Sequence, residues 1–476
     1  MSAEHASHPG NPASRAAIRR VKQATAILGV AVLLGLSLHS SPGFGNLETP
    51  PHWVIGIIPF VGVLGAIAIF PLVPALQHWW ESNLNRLLVA LAAAGATLAY
   101  YGVTLGFDAV SEAASLAGHE YVPFILLLAS LFVVSGGISI RADLEATPAV
   151  NTAILAFGTL IASVVGTTGA SMLLIRMLLE TNKERRHVVH TVVAFIFLVS
   201  NIGGSLLPIG DPPLFLGFLR GVPFLWTLNL WVEWAAMSGA LLLLYYLYDR
   251  RQHARETARN LRRDRTQIKP IRVRGTINLI WLAGIVLSVA LVKDHLTRDL
   301  LLAAAAGLSL LTTPRGVRQE NAFSWGPILE VAALFLGIFV SMQVPLSVLQ
   351  HHGAHLGLTQ PWQFFWATGV LSSFLDNAPT YLVFLRTAEA ITVDAGPGVL
   401  ALADRSFVRE DLLVGVSLGA VFMGANTYIG NGPNFMVKAI AESRGVRMPS
   451  FLGYMLYSGV VLIPLFLLMT AIFLRP

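Results

Sequence analysis

Gly204-Ser205-Leu206-Leu207-Pro208-Ile209-Gly210-Asp211-Pro212-Pro213-Leu214-Phe215 places glycines, prolines and one acid in the middle of an otherwise apolar stretch. A second stretch, Gly424-Ala425-Asn426-Thr427-Tyr428-Ile429-Gly430-Asn431-Gly432-Pro433-Asn434-Phe435, matches it at a constant offset, with five of twelve positions identical. Glycine and proline at this density interrupt a helix, and an interruption inside an apolar run exposes backbone N–H and C=O groups. Just ahead of each lies another matched pair. Val165-Gly166-Thr167-Thr168-Gly169 aligns with Leu375-Asp376-Asn377-Ala378-Pro379, and the alignment runs on to Arg176 and Arg386.

Of the 476 residues, 55% are hydrophobic and 12% are charged, about half the charge of an average soluble domain. Uncharged runs such as 53–76, 87–107, 121–140 and 275–292 are each long enough to cross about 30 Å of hydrocarbon as a helix. The expected class is therefore an all-α polytopic membrane protein. Cysteine is absent, which excludes disulfides, thiol nucleophiles and thiolate metal sites. The net charge of +6 comes largely from ten cations between Arg250 and Arg274, so it reports membrane orientation and not nucleic-acid binding.

Loop charge orders the rest. Residues 1–23 read as a cytoplasmic tail carrying Arg15, Arg19, Arg20 and Lys22, and 24–52 as an extra first helix and outer loop. The segment from Asp108 to Glu120 reads as an outer loop. The uncharged run from Ala146 to Ile175 has basic flanks at both ends, which predicts a re-entrant hairpin with its tip at Gly166 to Gly169. A second hairpin, from Trp362 to Leu385 and broken at Asp376 to Pro379, enters from the outside. This gives a first repeat at 53–248, a basic cytoplasmic linker at 249–274 and a second, inverted repeat at 275–476. The count is about 11 transmembrane helices plus two re-entrant helical hairpins in an inverted-topology repeat, the plan of a secondary transporter with a site at the bilayer midplane.

The candidate site residues follow from the breaks. Ser200, Asn201, Asn426, Thr427 and Asn431 offer hydroxyl and amide oxygens, Thr167 and Thr168 (with Ser171) offer hydroxyls at the first hairpin tip, and Asn377 an amide at the second. Asp211 and Asp376 are acids in uncharged stretches, where an ionised carboxylate is costly and usually marks an ion or proton path. Hard oxygen donors of this kind suit transported Na+ and H+, with Asp211 and Asp376 as the carboxylates that meet the metal ion. Either acid can instead cap a half-helix. Glu233, in mid-crossing, and Glu330, near an interface, are weaker candidates, and His351, His352 and His355 read as a solvated loop.

Ser-Asn-Ile-Gly-Gly at 200–204, Ile-Gly-Asp-Pro-Pro at 209–213 and Leu-Asp-Asn-Ala-Pro-Thr at 375–380 resemble motifs of the ion transporter superfamily. That group includes NhaD-type sodium/proton antiporters, arsenite permeases, citrate transporters and divalent-anion/sodium symporters, and the resemblance covers about residues 53–474. It implies ion and proton exchange at Asp211 and Asp376 with Asn377, a site lined by Ser200, Asn201, Asn426 and Thr427, and a homodimer in the cell inner membrane in which a transport domain moves against a scaffold. The chain departs from the antiporter pattern at Gly166-Thr167-Thr168, where an Asp-Asn pair is usual, and at Asn431, the counterpart of Asp211. Sodium/proton antiport leads, and a sodium- or proton-coupled citrate or dicarboxylate transporter stands next to it. Nothing points to an enzyme, a resident cofactor or a nucleic-acid partner; the expected partners are membrane lipid and a small ion or carboxylate. Reporter fusions check the topology. A fusion after Arg263 should report cytoplasm and one at Pro476 the outside; the opposite at either place ends the inverted-repeat reading.

Overall fold

The computed structural model describes residues 47–475 apart from 322, 393–394 and 403–405. The cytoplasmic tail, the first helix expected at 24–38 and the carboxyl-terminal Pro476 lie outside the described residues. In chain order the helices are α1 (Trp53–Ile69), α2 (Pro74–Trp80), α3 (Asn83–Thr104), α4 (Phe107–Gly136), α5 (Pro148–Val165), α6 (Thr167–Thr181), α7 (Val189–Leu198), α8 (Pro212–Leu219), α9 (Trp231–His253) and α10 (Ala258–Thr266). They continue as α11 (Ile277–Leu291), α12 (His295–Thr312), α13 (Val317–Glu320), α14 (Gly326–Ser341), α15 (Gln343–His352), α16 (Pro361–Phe374), α17 (Asn377–Ala390), α18 (Glu410–Met423), α19 (Gly432–Ser443) and α20 (Phe451–Phe473). Among the described residues, five helical spans are long and apolar enough to cross a membrane, or seven if each sharply bent pair counts as one. Leucines and valines along α20, among them Leu452, Leu456, Val460 and Leu468, are exposed, as are Val54, Ile55 and Ile58 on α1. Outward-facing apolar side chains at this density fit a hydrocarbon surround.

Three sequence expectations need correction. The segment from Asp108 to Glu120 is not a loop but the first part of α4, a 30-residue helix. Ala109, Ala113, Ala114 and Ala117 favour helix, and Asp108 in the first turn complements the helix dipole. At about 1.5 Å per residue α4 exceeds the hydrocarbon thickness, so its acidic end still fits outside it. The basic linker is also folded: α9 runs on to His253, α10 follows, and β2 (Lys269–Arg274) pairs antiparallel with β1 (Ser139–Asp143). A second two-stranded sheet joins β3 (Val399–Ala401) to β4 (Phe407–Arg409), so the all-α description needs four short strands added. Within the second repeat, Gly326 to His352 forms two helices, α14 and α15, bent by 42°.

The hairpins and breaks form where local chemistry dictates. Thr147 caps α5, its side chain accepting from Val150 N at 3.2 Å, and Pro148 takes the first helical position, where no N–H is needed. Gly166, at φ 79°, turns the chain between α5 and α6 in a conformation only glycine adopts freely. Pro212 and Pro433 likewise stand in the first turns of α8 and α19. The order hairpin, helix, break, helix thus occurs twice: α5–α6 with α7–α8, and α16–α17 with α18–α19. Packing crosses between the two sets, α6 against α19 and α17 against α8. A second group, α1, α3, α4, α11, α12 and α14, packs mainly within itself.

The linker clamps the open end of the first hairpin. Arg185 meets Asp249 through two bonds of 2.9 and 2.6 Å, His190 Nε2 lies 2.8 Å from the same carboxylate, and Asp249 has no solvent exposure. Asp264 accepts from Ala146 N at 2.9 Å, and Glu256 from Arg186 N and His187 N. Burial holds the Asp264 carboxyl above its ordinary value. Removing one member of a buried ion pair strands the other charge. Arg185→Ala should therefore lower stability by about 3 kcal/mol, read as a fall in detergent melting temperature, with much of the loss regained in Arg185→Ala/Asp249→Asn. Equal melting of the single and double variants would show that the pair does not matter.

Candidate functional site

All four interruptions meet at one carboxylate. Asp211, 1% exposed, stands just ahead of α8; Thr167 Oγ1 at the start of α6 donates to its Oδ1 at 2.8 Å. Asn377 Nδ2 at the start of α17 donates to Oδ2 at 2.6 Å, and Asn431 Nδ2 just ahead of α19 donates to Oδ1 at 3.1 Å. The starts of α6, α8, α17 and α19 thus bring their positive dipole ends to one place. No Lys, Arg or His joins this network among the described residues.

A shell of amides and hydroxyls surrounds it. Asn431 Nδ2 also lies 3.2 Å from Ser200 O and from Asn201 Oδ1. Asn201 Nδ2 donates to Ile196 O and to Asn434 Oδ1, and Asn434 Nδ2 donates to Gly424 O and Thr427 O, at 2.7 to 2.9 Å. Ser200 and Ser171 share a hydrogen bond of 2.8 Å. Thr427 Oγ1 donates to Ser373 O and accepts from Ile429 N and Gly430 N, which closes the second break on itself. Asn426 Nδ2 donates to Ser373 Oγ at 2.9 Å. Asn377 Oδ1 and Asn426 Oδ1 are buried with no hydrogen-bond partner, and such oxygens are available to a cation or a substrate hydroxyl.

The expected residues divide on inspection. Asp211, Thr167, Asn377, Asn431, Ser200 and Asn201 form one connected cluster, and Asn426 and Thr427 belong to its second-half wall. Asp376 does something different: its Oδ1 accepts from Ala378 N at 3.0 Å and caps α17. Thr168 is half-buried and takes no part in the network. Glu233 lies in the first turn of α9, within the candidate span Phe224–His253. Glu330 pairs with Arg86 at 2.9 Å, and His351 Nδ1 meets Ser347 O and Thr49 Oγ1.

Two serines escaped the sequence reading. Ser163 Oγ donates to Gly203 O at 2.5 Å and accepts from Leu206 N at 3.0 Å. Ser373 Oγ shares its proton between Gly369 O at 2.8 Å and Met423 O at 3.1 Å and accepts from Asn426 Nδ2. Each pins a hairpin tip to the break of its own half at matching positions. The hairpin alignment, extended two residues upstream, pairs Ser163 with Ser373 and was the available signal.

This is the interior of a multi-pass membrane protein in which four matched breaks converge on a buried acid. Residues 49–474 match the family described as "Putative citrate transport", and the chain belongs to that family of transport proteins. No curated protein matches the chain.

Close backbone approach at the breaks leaves no room for a side chain. A Cβ on Gly210 would collide with the carbonyl oxygen of Gly204, and one on Gly430 would lie 2.6 Å from Gly424 O and 2.8 Å from Ser372 O. Gly210→Ala and Gly430→Ala should each cost about 1–3 kcal/mol through overpacking, whereas Gly432→Ala, with nothing within 4 Å, should be near neutral. Melting temperatures of the three variants in detergent check the contrast.

Proposed function

We propose that the chain is a cation-coupled secondary transporter of citrate or a related di- or tricarboxylate. The observation that carries this reading is the meeting of four helix starts at one enclosed carboxylate. Helix N-termini attract carboxylates without arginine or lysine, and Asp211, the orphan amide oxygens and the carbonyls of the breaks suit a hard cation. The family description supports the substrate class.

Coupling follows from charge. An ionised Asp211 about 5 Å from a substrate carboxylate opposes it by on the order of 3 kcal/mol at an effective dielectric of about 20. Na+ bound at Asp211, or a proton on it, removes that repulsion, so cation binding precedes and favours anion binding. Asp376 acts as the cap that holds the α17 start in place, its ion-exchange role being secondary. Ser200, Asn201, Asn426, Thr427 and Asn431 line the cradle, and Thr167 and Asn377 hold Asp211 when it is ionised. The two matched sets of hairpin and break form an inverted repeat in an inner (plasma) membrane, with the amino end cytoplasmic. Together they move, within a homodimer, against the group built from α1, α3, α4, α11, α12 and α14. Cross-linking a hairpin to that group should stop turnover.

Sodium/proton antiport is the second reading, favoured by the buried carboxylate at the centre. Asp211→Asn separates the two. In proteoliposomes the symporter variant should still take up citrate but lose its dependence on Na+ and pH, whereas an antiporter should dissipate a pH gradient on Na+ addition and lose that activity in the variant. If wild-type protein neither takes up citrate nor dissipates a pH gradient with Na+, Li+ or K+, both readings fail.

A further inference from the structure

Between α7, α9 and α20 lies an apolar cleft of about 440 Å³, with no residue of the Asp211 cluster in its lining. Its walls include Ala194 and Phe197 of α7, Leu244 and Tyr248 of α9, and Tyr457 and Val460 of α20. The cleft is of a size that binds small molecules, and its lining is almost wholly apolar. His190, which lines it, is turned to Asp249.

The cleft reaches towards three helix ends: the start of α7, where His190 lines it, the end of α9, with Tyr248, and the start of α20, with Leu456. Arg186, Arg250, Arg251 and Arg447 lie at those ends, all exposed, and none is in an ion pair among the described residues. Arg251 follows Leu244 and Tyr248 at seven and three residues, so it continues their face of α9 one turn beyond the cleft. Tyr248 and Tyr457, 47% and 38% exposed, stand at the same mouth, where tyrosines mark the level of lipid headgroups. Unpaired cations outside, an aromatic rim and an apolar interior are complementary to one amphiphile.

We propose that this cleft is a binding site for an anionic phospholipid, with an acyl chain between α7, α9 and α20 and the phosphate at Arg250, Arg251 and Arg447. Phe197 of the cleft wall is followed within one turn by Ser200 and Asn201 of the central cluster, so the occupant buttresses the helix that presents them. The cleft is separate from the transport site, and its occupancy is measurable whatever the cargo.

The test uses full-length protein in phosphatidylcholine vesicles doped with a photoactivatable phosphatidylglycerol or, in parallel, phosphatidylcholine bearing the same chain. The glycerol lipid should label peptides from α7, α9 and α20 several-fold more than the choline lipid. Each cation removed should lower that preference, so Arg250→Gln/Arg251→Gln/Arg447→Gln should label equally with both lipids. Val460→Trp should fill the cleft and abolish labelling; Ala194→Leu, a smaller change, covers the case in which the tryptophan variant does not fold. Equal labelling by both lipids in the wild type, or labelling undiminished in both filled variants, overturns the proposal. So does an absence of labelling in the wild type.

Discussion

Interrupting a helix inside hydrocarbon leaves backbone groups that no water can reach, and the arrangement of this chain is a response to that constraint. The four breaks cannot be satisfied separately, so they are packed into one another. Thr167 N donates to Gly210 O, linking a hairpin tip to a break, and Asn434 Nδ2 bridges two carbonyls of the second break. The glycines at 204, 210, 424 and 430 exist because these backbones touch. Everything outside, from the long α4 to the exposed face of α20, encloses and orients that polar centre.

The halves are alike in backbone and unlike in charge. Ser163 and Ser373 do the same job, and Gly210 and Gly430 make the same approach. Asp211 and Asn431, however, occupy matched places with only one carboxylate between them, and the amide of one donates to the acid of the other. An acid at both positions would set two negative charges side by side, which raises the cost of ionising either. The Asp–Asn pair keeps one carboxylate and gives it a hydrogen-bond donor.

Much of this could be read from the sequence because the signals were local and repeated. Gly/Pro clusters marked the breaks, basic flanks marked the first hairpin, and the offset between the halves paired Asp211 with Asn431. The reading lost detail where geometry decides. Nothing local distinguishes Asp211, held by three side chains, from Asp376, which caps its own helix; both are acids in apolar runs. The helical start of α4 was hidden because its acids resemble a loop. The folded linker was hidden because cations that meet Asp143, Glu145 and Glu180 look, in one dimension, like a solvated run.

The crossed packing also shapes how the molecule is made. Asp211 leaves the ribosome early, and its partners Asn377 and Asn431 follow 166 and 220 residues later. At about 5–20 residues per second the second of these arrives roughly 10–45 s after the acid. During that interval the first half has entered the membrane with its central carboxylate held by Thr167 alone, and α6 and α8 have no α19 or α17 to lie against. Neither half is a folding unit in its own right. Biogenesis must hold the first half open, in the translocon or in a partly hydrated state, until the second half closes it.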